Sequence, residues 1–182
     1  KFKNKYVKEK AFSTVLKWMW SREAAKWPDK VENKKSDNPK VELQADEFAV
    51  SFINHSTFLI QFNGLNILTD PVYSLRTSPV QWAGPKRVRE PGVDFEDLPQ
   101  IDIVIISHNH YDHMDLNSLR MLQNKFQPLF LTGLGNAQIM QSEIPAADIK
   151  ELDWWQHNKV LKDLNIYYVP AHHWSKRTLF DH

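Results

Sequence analysis

The sequence predicts an α/β protein with a mixed sheet. Three observations carry that expectation. Short segments rich in β-branched and aromatic residues crowd the chain just after residue 47, two of them joined by Asn63-Gly64. The run Ile103–Ile106 is apolar without a break. Beyond it, strand-like and helix-like segments alternate.

The 182 residues suffice for one ordinary domain. With 42% hydrophobic, 12% aromatic and 25% charged residues, the composition is globular and allows a sizeable core. No apolar run approaches the ~20 residues of a membrane-spanning helix. There is no cysteine, which excludes disulfides and thiolate ligands. Any metal must be held by His and carboxylates. The chain starts at Lys1, so an upstream signal or anchor is left open. The expected place is the cytoplasm or the periphery of a membrane. Seven Lys and one Arg against Glu9 and Glu23 give residues 1–27 a charge of +6, leaving −5 over the rest of a chain whose net charge is +1.

Residues 5–22 read as a helix, with Phe12, Val15, Leu16 and Met19 at helical spacing. That stripe can pack on the body of the protein. Alternatively Trp18, Trp20 and the lysines make residues 5–27 a peripheral membrane contact. Residues 28–47 are polar, carry Pro28 and Pro39, and read as an extended arm. Residues 1–47 thus form one unit and 48–182 the other.

Residues 48–53, Thr57–Phe62 and Leu65–Thr69 read as strands, with Asn63-Gly64 a strong hairpin signal. The proline-punctuated stretch 71–99 is a loop long enough to suggest function. Ile103–Ile106 is expected to be buried on both faces. Leu116–Phe126 reads as a helix with Asp115 at its N-cap. A short strand at 129–131, a short helix at 136–141 and a last strand at 165–169 complete the series.

Chemistry concentrates in Ser107-His108-Asn109-His110-Tyr111-Asp112-His113. Extended backbone points His108 and His110 the same way, so both can chelate one ion. Asp112 and His113 lie further round the turn and can reach a second. Imidazoles with a carboxylate suit zinc, and also iron or manganese. Asp70 ends its strand and either accepts the N–H of a ligand His or simply turns the chain before Pro71. A further ligand is His172 or His173, which spacing does not separate. Lys86 and Arg87, beside Trp82, either meet a phosphate headgroup or are solvated charge. Trp82 itself either plugs the core or touches acyl chains.

The run His108 to His113 resembles the HxHxDH motif of the metallo-β-lactamase fold. The stretches Ser78-Pro79-Val80-Gln81-Trp82-Ala83-Gly84-Pro85-Lys86-Arg87, Glu151-Leu152-Asp153-Trp154-Trp155 and His173-Trp174-Ser175-Lys176-Arg177-Thr178-Leu179 resemble the N-acylphosphatidylethanolamine-hydrolysing phospholipase D family. Asn54-His55-Ser56-Thr57 does so too, with Asn54 where that family usually has Gly.

The resemblance implies an αββα sandwich with two zinc ions at one edge of its sheets. His108, His110 and His173 would hold one ion. Asp112 and His113 would hold the second, with Asp112 also catalytic and with Asp70 and His55 in support. The implied reaction is phosphodiester hydrolysis by a metal-bridging hydroxide, releasing phosphatidic acid. The fold also uses a bridging Asp and a last His further downstream. Neither follows His173 before His182, so 48–182 is expected to be the N-terminal part of the domain. This piece alone is expected to bind at most one metal tightly and to lack turnover.

Two other readings stand beside this one. The chain can be a hydrolase of a soluble substrate such as a phosphorylated sugar lactone, or a truncated non-catalytic fragment. A homodimer is left open. Nucleic acid is not the expected partner, because the basic charge sits on the first helix and away from the His cluster.

Overall fold

The computed structural model describes residues 11–23, 25–33, 39, 43, 44, 47–161 and 164–177. Helix α1 spans Phe12–Ser21; residues 5–10 of the expected helix lie outside the described residues. Its described stripe residues Val15, Leu16 and Met19 are exposed. Leu16, Trp18 and Met19 are about half exposed, and Trp20 is 94% exposed. The described residues of the arm that follows form no helix. It is tied to the long loop by Val31 N–H donating to Val88 O at 2.7 Å and Asn33 Nδ2 donating to Glu90 O at 2.9 Å.

Six strands form the main sheet, in the spatial order β1 (Phe48–Asn54), β2 (Thr57–Phe62), β3 (Leu65–Thr69), β4 (Ile103–Ile106), β5 (Leu129–Gly133) and β6 (Asp148–Leu152). The first three pair antiparallel through tight turns. Asn63 and Gly64 both take positive φ, +49° and +73°, as the expected turn requires. From β3 to β6 the pairing is parallel. Parallel neighbours need a crossover. The long loop supplies it before β4, helix α2 (Leu116–Phe126) before β5, and helix α3 (Ala137–Gln141) before β6. Strands β7 (His157–Leu161) and β8 (Leu164–Tyr167) form a separate antiparallel pair.

The sheet is buried from both sides at its centre. Leu59, Leu68, Val104, Ile106 and Phe130 face Leu119, Leu122 and Met140 of α2 and α3. On the opposite face, Ile67, Ile103 and Leu131 pack with Val160 and Ile166 of the β7–β8 pair. Strand β4 therefore contributes to both layers, as its unbroken apolar run predicts. Towards β1 that opposite face has no cover among the described residues. Phe48, Val50 and Phe52 are at least half exposed, and Phe52 leans on Phe58 at 5.3 Å between ring centroids.

Asp115 does sit at the N-cap of α2, but its side chain does not bond the helix backbone. It accepts from Ser74 N at 3.0 Å, Ser74 Oγ at 2.9 Å and Ser118 Oγ at 2.5 Å, tying the long loop to α2. Gly92 lets that loop lie against β1, where a side chain would collide with Phe52 O, and its N–H donates to Ile53 O at 2.8 Å. Phe130 is fully buried between sheet and helices. Replacing it with Ala is expected to lower stability by about 3–5 kcal/mol, measured by denaturant unfolding; a loss below about 1 kcal/mol would contradict this core.

Candidate metal centre

The parallel strands end on one edge of the sheet, where open α/β sheets usually place their ligands. Strand β3 delivers Asp70 there and β4 delivers Ser107. After Ser107 the chain turns tightly. Met114 N–H donates to His110 O at 2.8 Å and His113 N–H donates to the same oxygen at 3.1 Å. Fully buried Met114 anchors the far end. The turn projects His108, His110, Asp112 and His113 towards the edge.

Two groups of metal-competent side chains result. His108, His110 and His173 form one; His55, Asp112 and His113 form the other. Within each group the donor atoms lie within 4.8 Å of one another. In the first, His110 Nδ1 is 3.0 Å from His108 Nε2 and 3.3 Å from His173 Nε2. In the second, Asp112 Oδ2 is 3.1 Å from His55 Nε2 and 3.9 Å from His113 Nε2. The groups adjoin, because the His108 and His113 ring centroids are 4.1 Å apart.

Hydrogen bonds behind the rings set their tautomers. Asp70 Oδ2 accepts from His113 Nδ1 at 2.8 Å and from Ser107 Oγ at 2.7 Å, and Asp70 Oδ1 accepts from Ser107 N–H at 2.7 Å. With its proton given to Asp70, Ser107 Oγ accepts from His108 Nδ1 at 2.9 Å. Both rings therefore carry their proton on Nδ1 and turn the Nε2 lone pair towards the ligand positions. This donor set fits a divalent ion: imidazoles, two of them held by hydrogen bonds behind the ring, with one carboxylate and no thiolate.

The ionisations follow from this packing. Burial and the neighbouring His113, His110 and His173 hold His108 down to about 4, so it is neutral and ready to ligate near neutral pH. Burial also disfavours a charged His113, but the hydrogen bond and charge of Asp70, helped by Asp112, outweigh it and raise its pKa. Burial first, then Asp70 and Asp153, push the Tyr168 phenol up.

All four residues of the HxHxDH run and His173 thus converge, and His172 belongs to neither group. Asp70 has the supporting contact expected of it. His55 Nε2 stands beside Asp112 and His113, among the donor atoms of the second group. Its sequence signal is weak, a lone His in a two-residue turn. The turn joins β1 to β2, and β2 begins beside the end of β3: Thr57 Oγ1 donates to Asp70 O at 2.7 Å. The loop residues are outside both groups. Arg87 donates to Tyr73 O at 3.3 Å and pairs with Glu90 at 3.5 Å, while Lys86 is exposed and Trp82 is 82% exposed.

A mixed sheet with five imidazoles and an aspartate gathered at one edge defines the class, a metal-centre domain of the metallo-β-lactamase fold. The comparisons agree. The beta-lactamase superfamily domain matches residues 65–182. An uncharacterized protein of Mycobacterium tuberculosis is 42% identical over 136 residues, 74% of this chain and 36% of its own. The N-acyl-phosphatidylethanolamine-hydrolyzing phospholipase D 1 of Caenorhabditis elegans is 33% identical over 158 residues, 79% of this chain and 44% of its own. Among solved structures, the metallo hydrolase Igni18 of Ignicoccus hospitalis superposes with a TM-score of 0.52 at 19% identity, covering 70% of this chain and 50% of that one. The chain belongs to the beta-lactamase superfamily. It spans less than half the length of these curated relatives.

In the metal-free protein, His108 is expected to titrate near pH 4 and His113 above its ordinary 6.5, read from ring resonances by NMR. The substitution Asp70→Asn removes the charge that holds the proton on His113 and leaves the burial that opposes it. The His113 midpoint should then fall below 6.5; an unmoved midpoint would rule out this assignment.

Proposed function

We propose that this chain supplies the metal-holding part of a hydrolase that cleaves the phosphodiester bond of N-acylphosphatidylethanolamine-type phospholipids. The adjacency of the two donor groups carries the reading, because ions in both would meet one substrate group. The lipid substrate is supported by the worm relative's name at 33% identity. His108, His110 and His173 would hold one ion. Asp112 and His113 would hold the other, with His55 in reach. Zinc is the ion proposed, and the same donors accept iron or manganese. When bound, such ions acidify water and stabilise charge developing on phosphoryl oxygens.

The protein's own part is orientation. Asp70 and Ser107 fix the rings of His113 and His108 so that neither rotates when substrate enters. Lys86 and Arg87 are proposed headgroup contacts and Trp82 an acyl-chain contact. The α1 segment is proposed to rest on the lipid surface. Leu16, Trp18, Met19, Trp20 and Trp27 are exposed there beside Lys17 and Arg22.

Two measurements check this proposal. The intact polypeptide carrying these residues is expected to release phosphatidic acid from N-acylated phosphatidylethanolamine in detergent. Changing His108 or His110 to Ala should remove about one equivalent of metal and reduce turnover by more than about 100-fold. Turnover of a phosphorylated sugar lactone with none of phospholipid would favour the soluble-substrate alternative. Separately, replacing Trp18 and Trp20 with Ala should weaken binding to liposomes several-fold; unchanged binding would remove α1 from the lipid contact.

A further inference from the structure

His173 must stand within tenths of an ångström of its place to share an ion with His108 and His110. Yet it lies 63 residues from His110, on the irregular segment that follows β8. That segment belongs to no strand or helix. A set of side-chain ties joins it to the turn that carries the other ligands.

The ties are reciprocal. Arg177 Nη1 donates to Met114 O at 2.8 Å and to Asn109 O at 3.1 Å, carbonyls on either side of His110, Asp112 and His113. Its guanidinium carbon lies 4.0 Å from the centroid of the Tyr111 ring, and the Tyr111 hydroxyl donates back to Arg177 O at 3.2 Å. Ser175 Oγ donates to Asn109 Oδ1 at 2.7 Å and accepts from Asn109 N–H at 3.2 Å. Asn109 is 8% exposed, wedged in sequence between two ligands. Trp174 packs its ring edge-on against His110, 4.4 Å between centroids. Upstream, the Tyr168 hydroxyl donates to Ser107 O at 2.8 Å, its ring passing where Gly133 has no side chain.

We propose that Arg177 is a positioning residue for the metal centre, the pin of a clasp through which the 168–177 segment and the 108–114 turn hold each other in ligating geometry. The inference rests on the metal-binding reading of the site and assigns Arg177 a role that no ligand motif gives it. Arginine suits the task for two reasons. Its charge strengthens the bonds from Nη1 to two carbonyls, and its planar head stacks on Tyr111. A lysine supplies a point charge but not the stacking plane. Without the pin, His173 loses its place in the first group, and the carbonyls bracketing the turn lose a shared donor.

The experiment is a Co2+ titration of the intact polypeptide carrying these residues, purified metal-free and followed by visible absorption, with thermal unfolding of each metal-free protein alongside. Wild type should bind with a ligand-field spectrum rich in nitrogen donors. Arg177→Lys should weaken binding at the first group about 10–100-fold, as loss of an orienting partner does, and shift the spectrum. The metal-free unfolding midpoint should move little. Tyr111→Phe, which keeps the stacking ring and deletes one bond, should show the same spectral shift in smaller measure. Wild-type affinity and spectrum in both variants would overturn the clasp, while a wild type that binds no Co2+ would overturn the metal reading beneath it. If Arg177→Lys fails to fold, an unaltered Tyr111→Phe spectrum suffices to reject the proposal.

Discussion

The Asp70 carboxylate is the constraint on which the site depends. It is 6% exposed, and a buried carboxylate is tolerated only when its oxygens are satisfied. Here Ser107 N–H, Ser107 Oγ and His113 Nδ1 all donate to it. Those bonds join the ends of β3 and β4 and set two imidazole tautomers at once. The backbone at Asp70 is strained, with φ +36°, a region that aspartate tolerates better than most residues. Its own N–H donates to Ile105 O at 2.8 Å and its carbonyl accepts from Thr57. The surrounding sheet thus over-determines the strained turn, as strain near functional sites generally requires.

From that point outward the centre is an exercise in closing long loops. Its side chains come from a β-turn at His55, a strand end at Asp70, a tight turn at His108 to His113 and an irregular segment at His173. Parallel pairing is what makes them meet, because it stacks the ends of β3 and β4 on one edge. The apolar layers on both faces of β4 hold that edge rigid. The ligand turn inherits this rigidity at both ends, through Ser107 bonded to Asp70 and through buried Met114.

Two apolar surfaces have no cover among the described residues. One is α1, whose amphipathic stripe would be expected to bury itself on the body but is exposed along its described length. The other is the face of β1 carrying Phe48, Val50 and Phe52.

Local sequence determined a good deal of this protein. The β-branched runs, the Asn63-Gly64 turn, the periodicity of Leu116–Phe126 and the spacing of His108, His110, Asp112 and His113 are properties of short stretches. Each survives into the structure because its neighbours in sequence are also its neighbours in space. Strands β6 (DIKEL) and β7 (HNKVL) escaped that reading because they are short and mostly polar, with neither an unbroken apolar run nor a clean alternation. Tertiary structure decided what depends on distant partners. It set His173, and not His172, beside His108 and His110, and brought His55 beside Asp112. It also turned Asp115 from a helix cap into a loop tie. Those outcomes follow from which strand ends lie side by side, and strand order is fixed by packing across the whole sheet, which no local pattern encodes.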